Sequence, residues 1–245
     1  MSRRFFLPPE QKKGDLARII GEDAHHLIHV LRLVPGAELN LSCLGLIYPA
    51  KIEELSRGEV WLRLGEPLPE QLEPPLQLSL LVGLLKGEKM EWLIEKAVEL
   101  GIKEIRPLFC RRCVVKLDPE QAQAKTARWQ KRAEAAAKQC RRALIPQILP
   151  PLTLPEALVS LPTGCKILAA WEEDKNLPLI IEKHTSIALL IGPEGGLCEE
   201  EITLVRNHGG KVFGLGPRIL RSETAAIAGI SILMHRFGDV MIIDN

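Results

Sequence analysis

The sequence predicts an α/β protein in two parts, a small N-terminal β-barrel and a C-terminal α/β domain. Three observations predict it. The first seventy residues carry short runs of alternating polarity punctuated by glycine, and a proline-rich stretch follows them. Beyond that stretch, near-continuous apolar runs alternate with segments of helical spacing.

In the first part, residues 38–44 alternate, Gly45 interrupts, 47–55 alternate again, and Gly58 opens a third run over 59–64. Short strands at this spacing suggest a small barrel. Residues 23–31 read as a helical turn capped by Asp23. Residues 65–75 hold four prolines in eleven positions, which neither a helix nor a central strand tolerates. They read as a linker, and the domains are divided there into 1–72 and 73–245.

In the second part, 76–85 is apolar almost throughout, as in a strand buried on both faces of a parallel sheet. A helix follows over 88–100 with Gly101 at its C-terminal cap, then a strand over 102–109 and a long basic helix over 121–143. Further strands are predicted at 165–171, 186–191 and 211–215. Helices are predicted at 199–208 and at 223–237, the last begun by Ser222.

Composition narrows the function. The chain has 245 residues, 46% hydrophobic and 26% charged, which is ordinary for a globular domain. Aromatics at 4% argue against a platform of stacked bases. No apolar run approaches the roughly 18 residues of a membrane span, and residues 1–9 carry no targeting signal. Six scattered cysteines do not build a disulfide scaffold, so a reducing cytoplasm is expected. The net charge of +1 conceals an uneven distribution. Residues 106–142 hold eleven Lys and Arg against three acidic residues, while Glu53, Glu54, Glu59, Glu66, Glu70 and Glu73 precede them. Such a cluster fits a polyanionic partner, and it fits a solvated helix face equally well.

Two motifs carry chemistry. Leu189-Leu190-Ile191-Gly192-Pro193-Glu194-Gly195-Gly196-Leu197 is a buried strand ending in a glycine turn, where open α/β sheets bind ligands. Val212 to Ala226 repeats the arrangement with Arg218 and Arg221, which suit phosphate or a base edge. Neither turn matches the dinucleotide fingerprint, since Ile219 stands where glycine is needed, and no P-loop or Gly-x-Ser-x-Gly is present. Cys110-Arg111-Arg112-Cys113 lacks a second ligand pair, and His25, His26 and His29 read better as surface, cap or RNA-facing groups. No metal is expected.

Gly192-Pro193-Glu194-Gly195-Gly196 with Leu215-Gly216-Pro217-Arg218-Ile219-Leu220-Arg221-Ser222-Glu223-Thr224-Ala225 resembles the bacterial 16S rRNA uracil N3-methyltransferase family of the SPOUT class. Arg4-Phe5-Phe6, His25-His26-Leu27, Val30-Leu31-Arg32, Lys86-Gly87-Glu88-Lys89-Met90-Glu91-Trp92 and Lys96 to Gly101 extend the likeness over the whole chain. The resemblance implies a PUA-like barrel and a SPOUT domain with a deep trefoil knot at roughly 165–245. It also implies a homodimer and S-adenosylmethionine as cofactor, held by Leu168, Gly192, Pro193, Gly195, Gly196, Leu215, Gly216, Pro217, Ile219 and Leu220. Arg218, Arg221, Glu194 and Glu223 are the catalytic candidates. The RNA contacts would be Arg3, Arg4, His25, His26, Arg32, Lys86, Lys89, Arg112 and Arg141. The partner would be 16S rRNA in the small ribosomal subunit, with neither DNA nor a membrane involved. Three features depart from the family pattern: Cys198 in place of a hydroxyl, which weakens a cap reciprocated by Glu201, the Cys110 to Cys113 segment in place of Ser-Glu-Arg-Ser, and Lys138 in place of Glu. Two rivals remain, a non-catalytic RNA-binding protein and a small-molecule enzyme on the same fold. A tRNA methyltransferase is set aside only by the whole-chain likeness.

Overall fold

In the computed structural model, which describes residues 4–56, 58–69, 72–173 and 184–241, the alternating runs of the first part are strands. β1 (Arg4–Phe6), β2 (Lys12–Lys13), β3 (Leu16–Ile20), β4 (Glu38–Cys43), β5 (Leu46–Ser56) and β6 (Glu59–Leu64) form one sheet. Its order is β1-β4-β5-β6-β3-β2, with β1 parallel to β4 and the other pairs antiparallel. The sheet curls into a half-barrel whose edges are its two shortest strands, so few backbone groups are left unpaired there. Leu39, Leu41, Ile52, Val60 and Leu62 point inward between more exposed neighbours, and Phe5, Ile19 and Leu27 complete the core.

Asp23 does not cap a helix. Gly21, at φ +70°, turns the chain out of β3, so α1 (Gly21–His25) begins ahead of Asp23, with Ile20 at the N-cap and no side-chain cap. A π-helical turn, His26–Val30, follows. The Asp23 carboxylate instead accepts the Lys138 ammonium at 2.8 and 3.0 Å.

Lys138 belongs to a returning segment, since the first compact unit comprises Met1–Glu73 and Ala137–Ile145. Glu73 holds that segment. Its carboxylate accepts the N–H groups of Ala143 and Leu144, each at 2.9 Å, and pairs with the Arg142 guanidinium. The Ser42 hydroxyl donates to Ala143 O at 2.5 Å, and the Arg4 guanidinium donates to Arg141 O. These bonds explain why the basic helix stops short of residue 143. It ends at Gln139, Arg141 takes φ +61°, and the backbone beyond follows Glu73 rather than the helical path.

The second unit comprises Pro74–Ala136 and Pro146–Asn245. β7 (Gln77–Gly83), β8 (Glu104–Phe109), β9 (Gln147–Ile148), β10 (Leu152–Thr153), β11 (Lys166–Ala170), β12 (Ser186–Ile191) and β13 (Lys211–Phe213) make an all-parallel sheet. Its order is β10-β8-β7-β12-β11-β13, with β9 also paired to β8. The connecting helices are α2 (Lys89–Glu99), α3 (Pro119–Gln139), α4 (Leu154–Val159), α5 (Glu199–Asn207) and α6 (Ser222–Phe237). α2 buries Met90, Leu93, Ile94, Ala97 and Val98, one stripe at helical spacing. α6 lies so close to β12 that a Cβ on Gly229 would come within 2.8 Å of Leu189 Cδ2. Among the described residues no helix is long and apolar enough to cross a membrane.

Glu73→Ala removes the acceptor of two amides and a guanidinium at once. Charge-assisted hydrogen bonds of this kind make the expected loss about 2–3 kcal/mol of unfolding free energy. Urea denaturation measures it, and a change within about 0.5 kcal/mol, as at an ordinary surface site, would contradict the role given to Glu73.

Candidate functional site

A parallel sheet opens its ligand crevice beyond the carboxyl ends of its strands. Here the ends of β12, β11 and β13 are neighbours, and their loops enclose a cleft of about 300 Å3. That volume is at the lower end of the range for small-molecule sites. One wall is Ala170, Trp171 and Glu172, directly after β11. The second is the turn after β12, and the third is the loop from Leu215 to Ser222, with Lys89 and Ala225 completing the lining.

The glycines of the first turn are required by close approach. A Cβ on Gly192 would lie 2.9 Å from the carbonyl carbon of Gly196, and one on Gly83, at the end of β7, only 2.5 Å from Pro193 N. Gly196 has φ +72°, and its Cβ position is 2.3 Å from Glu172 Oε1. Backbone therefore forms the floor, where no side chain obstructs a ligand. The two turns are joined by the buried Ser222, whose hydroxyl donates to Gly192 O at 2.5 Å.

Charge in the cleft is mixed. Lys89 Nζ lies 3.4 Å from Glu223 Oε1 and 3.8 Å from Glu194 Oε1. Glu194 Oε1 also accepts the Lys86 N–H at 3.0 Å. Glu223 Oε2 is buried with no hydrogen-bond partner among the described residues, as is Trp171 Nε1. Arg218 and Arg221 are exposed on the lining, and neither guanidinium has an ion-pair or hydrogen-bond partner among the described residues.

The Cys110 to Cys113 segment stands behind the first turn. Arg112 Nη1 donates to Gly195 O at 3.2 Å, and a Cβ on Gly195 would meet Arg112 Cβ at 2.9 Å. Arg111 N donates to Glu201 Oε1 at 3.0 Å, while Glu201 Oε2 accepts Cys198 N–H at 2.9 Å. Both halves of the capping box at α5 are in fact present, because the Cys198 sulfur takes the acceptor position of a hydroxyl. The expected weakening is therefore confined to the poorer acceptor strength of sulfur.

The structure brings most of the expected residues together. Arg218, Arg221 and Glu194 line the cleft, as do Gly192, Pro193, Gly196, Leu215, Gly216, Pro217, Ile219 and Leu220. Glu223 adjoins it through Lys89. Leu168 is fully buried within β11 and does not line the cleft, Gly195 faces Arg112, and Ile219 is 86% exposed. Of the RNA candidates, Lys86, Arg112, His25, Arg32 and Arg141 are exposed, His26 is half-buried against Phe5, and Arg4 is 8% exposed. Arg3 lies outside the described residues. Trp171, Glu172 and Ser222 were not among the expected site residues. The rule that placed the site after β12 would have found the first two after β11.

The basic run is thinner than its composition suggests. Arg106 is buried against Glu104 and Ser160, and Arg142 against Glu73. Arg128 and Arg132 pair with Glu91 and Glu95 of α2. The cations left for a polyanion are fewer, among them the exposed Lys125 and Lys131 of α3.

A family model for an RNA methyltransferase domain matches residues 72–234, and one for an RNA methyltransferase PUA domain matches 19–65. The chain is 34% identical to ribosomal RNA small subunit methyltransferase E of Bacillus subtilis over 89% of each protein. It is 33% identical to the Synechocystis protein of the same name over 96% of this chain and 79% of that one. A crystal structure of the Neisseria gonorrhoeae enzyme of that name, bound to S-adenosyl methionine, superposes with a TM-score of 0.86 at 29% identity, covering 98% of this chain and all of that one. A methyltransferase from Legionella pneumophila, solved with the cofactor SAM, superposes at 0.82 and 34% identity over 98% and 100%.

Gly83→Ala places a methyl group against Pro193 at the base of the cleft. Overpacking of this kind is expected to cost about 1–3 kcal/mol. Thermal unfolding should show it, while Gly58→Ala, whose Cβ position meets nothing within 4 Å, pays only for its backbone angle of φ +84°. Equal losses in the two variants would refute the close-approach argument.

Proposed function

This chain belongs to the RNA methyltransferase family that includes ribosomal RNA small subunit methyltransferase E, and from that premise we propose that it methylates N3 of one uridine near the 3′ end of 16S rRNA within the small ribosomal subunit. The observation that carries this reading is the cleft of two glycine turns at the ends of β12 and β13, on either side of β11, rimmed by two arginines that have no partner among the described residues. S-adenosylmethionine is its cofactor, and when bound it supplies an electrophilic methyl group. The Gly192 to Gly196 turn and the Leu215 to Leu220 loop hold it. A backbone floor that admits no Cβ at Gly192 or Gly196 suits a ligand read by main-chain groups, and the mixed charge of the rim suits a zwitterionic one.

Residues 1–72 serve as a PUA-like RNA-gripping module and 73–245 as the SPOUT domain, its last eighty residues or so threaded as a trefoil knot. The enzyme works as a cytoplasmic homodimer. Arg3, Arg4, His25, His26, Arg32, Lys86, Lys89, Arg112 and Arg141 are the candidates for ordering the RNA backbone, and Arg4 acts through Arg141 rather than by direct contact.

Uridine N3 is nucleophilic only once its proton has left. Negative charge then spreads over O2 and O4 of the base, where Arg218 or Arg221 stabilises it as a prepositioned donor. The proton goes to a carboxylate. Glu194 is already engaged by the Lys86 N–H and Lys89, whereas Glu223 keeps one oxygen without a donor, so Glu223 is the better acceptor.

The test uses labelled S-adenosylmethionine with small subunits, free rRNA and tRNA from cells lacking the modification. Label at N3 of a single uridine in small subunits is expected; label only in tRNA, or none, overturns the reading. In the same assay Arg221→Ala should lower kcat by about 100-fold with cofactor affinity retained. Glu223→Gln should lower kcat far more than Glu194→Gln, and the reverse order would move the proton to Glu194. RNA affinity should fall steeply with added salt, and an affinity indifferent to salt would remove the backbone contacts.

A further inference from the structure

The thiols of Cys110 and Cys113 have no part in the chemistry above, yet their segment is wedged behind the cofactor turn through Arg112. Cys113 N donates to Cys110 O at 3.1 Å, which closes a four-residue turn with the two cysteines at its ends. The Cys113 thiol donates to Leu108 O at 3.5 Å, at the end of β8, the strand that leads into this turn. Cys110 is buried, while Cys113 is only half-buried and open to a small oxidant. Between them Arg112 touches the turn twice, through its guanidinium on Gly195 O at 3.2 Å and through its Cβ against the Gly195 backbone.

We propose that Cys110 and Cys113 form a redox modification site, closing to an intramolecular disulfide under hydrogen peroxide and loosening the Gly192 to Gly196 turn through Arg112. The Cys113 thiolate attacks one peroxide oxygen, the O–O bond breaks, and hydroxide leaves to become water, giving a sulfenic acid. The Cys110 sulfur then displaces the oxygen, which leaves as a second water with the Cys110 proton. Two thiols are oxidised to one disulfide and one peroxide is reduced to two waters. A thiol such as glutathione reverses it by exchange.

Three features support the assignment. The hydrogen bond from Cys110 lowers the Cys113 pKa to about 7, against the opposing effects of burial and of Glu201, so Cys113 is the attacking sulfur. The same contact, burial and the nearby Glu201 and Cys198 raise Cys110, which suits a resolving thiol that stays protonated until attacked. Finally, a disulfide needs its sulfurs at about 2.05 Å, well inside a thiol–thiol hydrogen bond. Cys113, on the open side, makes that movement and carries Arg112 with it. Cys198, whose charge bears on Cys110, has its backbone fixed by the bond from its N–H to Glu201.

The disulfide itself does not depend on the methyltransferase reading; its effect on cofactor affinity does. The experiment treats the reduced full chain with graded hydrogen peroxide and maps disulfides by mass spectrometry of non-reduced peptides. Hydrogen exchange of the Gly192 to Leu197 amides and S-adenosylmethionine affinity are followed alongside, with Cys110→Ser and Cys113→Ser as controls. A 110–113 bridge reversed by dithiothreitol, faster exchange in the turn and affinity about 5- to 10-fold weaker are expected in the parent chain and absent in both variants. A bridge to Cys198, or sulfinate at Cys113 with no bridge, overturns the site. A 110–113 bridge with unchanged exchange overturns its coupling to the turn. Absence of S-adenosylmethionine binding in the reduced chain overturns the functional reading alone, because mapping and exchange still decide the modification.

Discussion

The hydrogen bond from the Ser222 hydroxyl to the Gly192 carbonyl is small, yet the cleft depends on it. It joins the turn after β12 to the first residue of α6, and so fixes the loop between β13 and α6 as the opposite wall. Both partners are held from behind. Gly192 is pressed against Gly196 and Leu197, and α6 sits on β12 at Gly229, where only a glycine allows helix and strand to meet so closely. The two walls are thus parts of one packed unit, and the space between them is defined by backbone. A site built in this way is preorganised, because little conformational freedom remains to be lost when a ligand enters.

Electrostatics in the unit follow a division of labour. Buried charges are paired inward: Arg106 with Glu104, Glu201 with the amides of Cys198 and Arg111. Burying such groups is tolerable only because each finds partners. Arg218 and Arg221, which have no ion-pair or hydrogen-bond partner among the described residues, stand at the rim of the cleft. Composition alone could not separate these classes. It counted Arg106 and Arg142 with Lys125 and Lys131, although the first two are structural and the last two face solvent.

Much of the second unit was legible because its signals are long and redundant. β7 is buried from Leu78 to Val82, α2 shows an unbroken helical stripe, and Ser186–Ile191 is a strand with the bounds that its composition suggests. The glycine turns were legible for a steric reason, since a strand entering a helix through Gly-Pro-Glu-Gly-Gly leaves no side chain to fill the crevice. What escaped was short or non-local. β9 and β10 have two residues each, too few for any period to register. α4 has six residues and was missed, although Thr153 and Glu156 spell its capping box; the Glu156 pKa is held down by the Thr153 hydroxyl and N–H it accepts. The early end of α3 is set by Glu73, some seventy residues away in sequence, and no local pattern reports a partner at that distance.

The carboxylates of the cleft show how position, rather than residue type, assigns chemistry. Glu194 and Glu223 both stand beside Lys89, and from sequence they were equivalent. Glu194 is on the exposed turn and takes a backbone N–H from Lys86, so its charge is partly spent on holding the loop that leads into α2. Glu223 lies in the first turn of α6, where the helix dipole favours a negative charge. Its Oε1 faces Lys89, while its Oε2 is shielded from water and accepts no hydrogen bond among the described residues. A shielded, unfilled acceptor costs stability unless a donor arrives. Under the proposed function, a substrate N–H would bring such a donor, and the stability recovered on its arrival would help to bind the base in the orientation from which its proton departs. The same atom can therefore be a liability in the free protein and a contact that favours the reactive complex.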